Sequence, residues 1–174
     1  MKTLGSAVNT SGADLAEKYG QESTSNAYLA RTKYNLDPVF IRYGKLNSDT
    51  DTISKDLFID VAFAICQIDS DDVFELANQK KKLTSMFKFY NTNLTRQEIV
   101  YGVMQLYNEF SNININNVVI NNTLTSKNYN IKDYYKQSIY AGMQLGLINE
   151  KDISNPNEVM TVNKMLDLIY KVLN

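Results

Sequence analysis

The chain has 174 residues, of which 44% are hydrophobic, a length suited to one domain with ample material for a core. Eighteen Lys and Arg against 19 Asp and Glu leave a net charge of −1. This gives neither a nucleic-acid surface nor a polybasic membrane patch, and no apolar run approaches the ~20 residues that span a bilayer.

Histidine is absent and Cys66 is the single cysteine. That removes the usual general base, Ser/His and Cys/His nucleophile pairs, histidine metal sites and any disulfide within the chain. No enzyme activity, metal or cofactor is therefore expected, and Cys66 reads as a buried structural thiol.

Residues 1–24 are small and polar, with Gly5, Gly12 and Gly20 among them, and are expected to form a flexible leader, helical at most near 13–19. They lack a hydrophobic signal core, as expected of a retained chain or of one whose signal was removed. Tyr28, Leu29 and Ala30 predict a short helix over 25–34, ended by Asp37-Pro38, because a residue before proline is pushed out of the α region. Val39-Phe40-Ile41 is an apolar run that is either extended or pins the loop into the core. Asn47-Ser48-Asp49-Thr50-Asp51 begins like a calcium loop. Thr52 then stands where the sharp turn needs glycine, and Phe58 where a bidentate glutamate belongs, so an ordinary polar loop is expected.

Ser54 caps a helix that runs to Cys66. Asp69-Ser70-Asp71-Asp72 start the next, with acids favoured at a helix N-terminus and Lys80-Lys81-Lys82 near its end. Val73, Phe74, Leu76, Ala77 and Leu83 are expected to form its buried side, and Met86, Phe87, Phe89 and Tyr90 an apolar connector. Leu94-Thr95-Arg96-Gln97-Glu98 carries the strongest helix-start signal. Thr95 and Glu98 have capping-box spacing, and Leu94 can staple onto Ile99. Val103, Leu106 and Phe110 continue the stripe. Over 111–130, Ile113, Ile115 and Val118-Val119-Ile120 alternate with Asn clusters, which predicts a β-hairpin turning at Asn121-Asn122. Asp133 caps a helix burying Ile139 and Met143. Gly146 suits its left-handed C′ position, and Met160-Thr161 opens the last helix, through Leu173.

The cap recurs. Ile53-Ser54, Leu94-Thr95 and Met160-Thr161 each place an apolar residue before a hydroxyl. Apolar residues follow four (Phe58, Ile99, Met165), eight (Ala62, Val103, Ile169) and eleven (Ile65, Leu106, Val172) positions after the cap, which reads as three degenerate copies of one unit.

The run Asp133-Tyr134-Tyr135, then Leu145-Gly146-Leu147-Ile148, a loop with Pro156 and Met160-Thr161 before an amphipathic helix, resembles a surface-layer homology (SLH) repeat. Leu94-Thr95-Arg96-Gln97-Glu98 is similar to that family's Ile-Thr-Arg-Ala-Glu motif. The resemblance covers 25–174 and implies a mainly α-helical domain of three helix pairs, at about 25–66, 69–110 and 131–174. These would form a pseudo-threefold bundle with the 111–130 hairpin inserted.

The resemblance also implies a noncatalytic module at the surface of a Gram-positive bacterium, outside the cell, that binds acidic secondary cell-wall polysaccharide. Arg96 would supply the charge, with Asp133 and Tyr134 orienting the saccharide; guanidinium pairs well with carboxylates. The chain departs from the family in having no tryptophan and in lacking two of the three motif arginines. Arg96 can equally be a solvated helix-start residue. The alternative expectation is a structural or protein-interaction domain that has lost the glycan and binds a protein partner or a second copy of itself.

Overall fold

In the computed structural model, residues 25–44, 49–67 and 71–174 are described. They form a mainly helical protein with eight α-helices. In order these are α1 (Asn26–Lys33), α2 (Asp37–Arg42), α3 (Lys55–Ile65), α4 (Val73–Met86), α5 (Arg96–Phe110), α6 (Asn122–Thr125), α7 (Asp133–Gln144) and α8 (Val162–Leu173). Single 3-10 turns at Ile115–Asn117 and Glu150–Ile153 complete the set. The expected leader, and Asn47, Ser48, Asp69 and Ser70 of the expected polar segments, lie outside the described residues.

The three hydroxyl caps begin α3, α5 and α8. Ser54 accepts the Leu57 N–H at 3.2 Å, while the Glu98 carboxylate reaches back to accept both the Thr95 N–H and its hydroxyl at 2.9 Å. The short extended segments before these caps touch one another pairwise. Thr52 bridges Thr161, Ser54 bridges Asn93, and Thr95 bridges Val159. Leu94 N donates to Ile53 O at 2.8 Å, Met160 N to Leu94 O at 3.1 Å, and Val162 N to Asp51 O at 2.9 Å. Ile53, Leu94 and Met160 are all buried at this junction. One backbone thus satisfies another's exposed groups where no sheet exists to do so.

From the junction the helices pack into one core. Helix α1 lies along α8, α7 and α8 lie on α5, and α2 and α4 lie on α3. A knot of rings fills the space between α3 and α5. Phe58 meets Phe87 and Phe89 edge-on, both at 5.2 Å between centroids, and those two stack on each other at 5.5 Å. Gly102 lets α5 approach this knot, since a Cβ there would sit 2.6 Å from Phe58 Cζ.

Three expectations are corrected. Pro38 begins a helix, because proline's fixed φ suits the first helical turn, where its missing N–H has no intrahelical acceptor. Val39-Phe40-Ile41 is therefore helical, with Phe40 buried and Ile41 exposed. Helix α1 stops before it at Lys33, through Asn35 at φ 50°.

The hairpin over 111–130 does not form; a 3-10 turn and the short α6 stand in its place. Asn side chains satisfy the backbone locally and pre-empt a ladder. Asn108 Oδ1 accepts the Ile115 N–H, Asn114 Oδ1 that of Asn116, and Asn121 Oδ1 that of Thr123. Gln137 Nε2 donates to the carbonyls of Ile115 and Val118, so Ile115 is drawn fully into the core.

The third correction concerns α4. Of its expected apolar side only Leu83 is buried, while Val73 and Phe74 are exposed at 74% and 82%. Among the described residues its main helical neighbour is α3, with Lys82 reaching Glu109 of α5 at 4.0 Å.

Candidate ligand groove

Arg96 is the first residue of α5. Its N–H donates to Glu158 O at 2.8 Å and the next N–H, of Gln97, to Pro156 O at 3.0 Å, so the start of α5 is laced to the turn before the third cap. The Arg96 side chain is only 13% exposed. Nη2 pairs with Glu158 Oε2, while the buried Nε has no hydrogen-bond partner among the described residues. The other oxygen of Glu158 accepts from Lys164 Nζ at 3.1 Å. The two cations hold the Glu158 carboxyl below the usual carboxylate range.

Lys164 stands three residues after the Thr161 cap, the register position that Glu98 holds after Thr95. An ammonium paired with Glu158 thus stands where the second cap has an inward-directed carboxylate. Beside this pair opens a groove of about 370 Å³ lined by Asn26, Arg96, Asp152, Met160, Lys164, Asp167, Leu168 and Lys171. Lys171 is bridged to Asp152 at 2.5 Å. Burial pushes the Asp167 carboxyl up, against a hydrogen bond from the Ala27 backbone. Three cations, two carboxylates and the apolar Met160 and Leu168 on one concave surface suit a polar ligand.

Asp133 and Tyr134 lie together in the first turn of α7, which begins after Lys132 rather than with Asp133 as the cap. Asp133 is 95% exposed and pairs with Lys136 at 2.5 Å, which keeps its carboxyl low. Tyr134 leans edge-on against Tyr101 and Tyr135, at 5.6 and 5.5 Å between centroids. The Lys88 ammonium sits 4.9 Å over its ring. None of the contacts of Arg96 involves either residue. The link between them runs through the buried Gln97, whose amide accepts the Lys132 N–H at 2.9 Å and donates to Asn157 Oδ1 at 2.7 Å.

Glu98, the strongest of the capping residues in the sequence, is excluded from ligand chemistry by its surroundings. It is fully buried, and besides Thr95 it accepts the N–H groups of Tyr90 and Asn91 at 2.7 and 3.1 Å and the Asn91 side chain at 2.9 Å. Burial raises its carboxyl, but the bonds from Thr95, Asn91 and Tyr90 outweigh that and hold it low. It clamps the 90–95 loop through these hydrogen bonds. Sequence reasoning missed Glu158, Lys164, Lys171, Asp152 and Asp167 as groove residues. Only Lys164 carried a signal, its place in the cap register.

Among the described residues no group of acidic or thiol side chains is arranged to hold a metal ion, and no helix is long and apolar enough to cross a membrane. Compared with family models, with curated proteins and with solved structures, the chain matches none.

Proposed function

We propose that the protein is a noncatalytic cell-wall attachment module of SLH type, which binds acidic secondary cell-wall polysaccharide outside a Gram-positive cell. In this reading three degenerate helix pairs surround a pseudo-threefold axis, and the pairwise bridging of the three cap segments supports that arrangement. The observation that carries the function is the convergence of Arg96 and Lys164, from the second and third caps, on one carboxylate at the edge of a charged groove.

Glu158 holds the place that a sugar acid takes. Its backbone is pinned by the Arg96 N–H and by its own bond to Asn155 O, while its side chain is 40% exposed. Binding therefore needs only a side-chain swing. One carboxylate then replaces another on the same cations, so electrostatic gain per site is small and contacts along the polymer supply the rest. Asp133 accepts saccharide hydroxyls and Tyr134 offers a ring edge at the start of α7.

The test is co-sedimentation with purified cell-wall material carrying its secondary polymer, beside material stripped of it. Wild type pellets with the first only, and Arg96→Ala stays in solution. Unchanged sedimentation of the variant removes Arg96 from the mechanism. Glu158→Gln, which frees both cations, sediments more strongly than wild type.

One observation favours the alternative, a protein-interaction domain without glycan binding: Arg96 is already neutralised within the chain. In that case neither wild type nor Glu158→Gln sediments with wall material.

A further inference from the structure

Helix α4 has 14 residues and one of them, Leu83, is buried. Helices of this length are marginal alone and draw their stability from packing an apolar face. The face that α4 turns from α3 carries Phe74, Ala77, Asn78 and Lys81, all exposed. Phe74 is 82% exposed.

Charge along the helix says what fits there. Its start is acidic, with Asp71 and Glu75, and its end is basic, with Lys81 and Lys82. Lys80 is spent inward on Asp60 at 2.8 Å, whereas Lys82, 76% exposed, lies 4.0 Å from the Glu109 carboxylate of α5. A rod acidic at one end and basic at the other is complementary to itself when reversed. A parallel copy would set Lys81 against Lys81.

We infer that a second copy of this chain docks on α4, the two helices antiparallel about a twofold axis that passes beside Ala77 and Asn78. The interface is isologous. The small Ala77 and Asn78 allow close approach at the axis. On either side Phe74 of one copy lies on the Lys81 stem of the other, with the ammonium over the ring. Asp71 and Glu75 of each copy flank Lys82 of its partner. This pairing is separate from the groove at Arg96 and does not depend on glycan binding.

Sedimentation velocity of the full chain over a range of concentrations tests it. The mass rises from 19.8 kDa toward twice that value, and Phe74→Glu weakens association by about tenfold or more, as loss of a central aromatic anchor does. Orientation is read by disulfide trapping in a Cys66→Ser background. Asn78→Cys lies at the axis and gives a covalent dimer. Ser85→Cys gives none, because in the antiparallel pair its two copies are roughly 20 Å apart along the helices. A monomer at every concentration overturns the inference. So does a dimer indifferent to Phe74→Glu, failure of Asn78→Cys to trap a dimer, or trapping through Ser85→Cys.

Discussion

Helices α4 and α5 are nearly equal in length, 14 and 15 residues, and both are amphipathic, yet α5 buries nine residues and α4 one. The difference lies in their neighbours. Helix α5 is met by α7, α8 and both 3-10 turns, whereas α4 packs chiefly on α3. Even polar residues are enclosed on α5, where Gln97 and Glu98 are buried with their hydrogen bonds satisfied. Apolar spacing says that a helix has a face to bury; the assembly decides whether anything comes to cover it.

The largest effect expected is at the foot of α5. Glu98→Ala leaves the donors of Tyr90, Asn91 and Thr95 without their acceptor, and costs about 3 kcal/mol in urea unfolding. A loss below about 1 kcal/mol would mean that water reaches the loop and α5 is less enclosed than described. Leu83→Ala removes the one buried anchor of α4 and costs about 2.5 kcal/mol. Gly102→Ala comes next, at about 2 kcal/mol. The added Cβ meets Phe58 Cζ at 2.6 Å and Cε1 at 2.9 Å, and that ring is wedged between Phe87 and Phe89. Gly142→Ala meets the end of Met104 instead, a flexible side chain that can yield, and is the milder of the pair.

Acid sensitivity sharpens the same contrast. The folded-state carboxyl of Glu98 titrates below its ordinary value. Its stabilisation is therefore complete above the unfolded carboxyl pKa of about 4.3 and is lost as pH falls through the folded one. Between about pH 5 and 3, wild-type stability drops more steeply than that of Glu98→Gln, as followed by chemical denaturation at each pH. The smallest effect belongs to α4. Phe74→Ser changes monomer stability by no more than about 0.5 kcal/mol, measured at concentrations too low for association.

Features readable from the sequence are those that close within a turn. The Ser54 cap, the Thr95 and Glu98 pair, and Gly146 at φ 72° after α7 each involve residues a few positions apart. The hairpin that the β-formers over 111–130 predict is pre-empted by the Asn residues between them. Those side chains capped their own turns, and Gln137 pulled Ile115 inward. Pro38 signals a stop to the helix before it and equally a start to the helix that contains it, and the structure takes the second. Of the site, Arg96, Asp133 and Tyr134 were named from motif alone; the carboxylate that meets Arg96 was not.

The chain by itself determined where α3, α5 and α8 begin and which side of each is apolar, because capping and helical spacing are decided between near neighbours. Tertiary structure alone decided that α4 keeps a bare face and that Arg96 and Lys164 share one carboxylate. Arg96 and Glu158 are 62 positions apart, and only the crossing of the cap segments brings the turn before the third helix onto the start of the second.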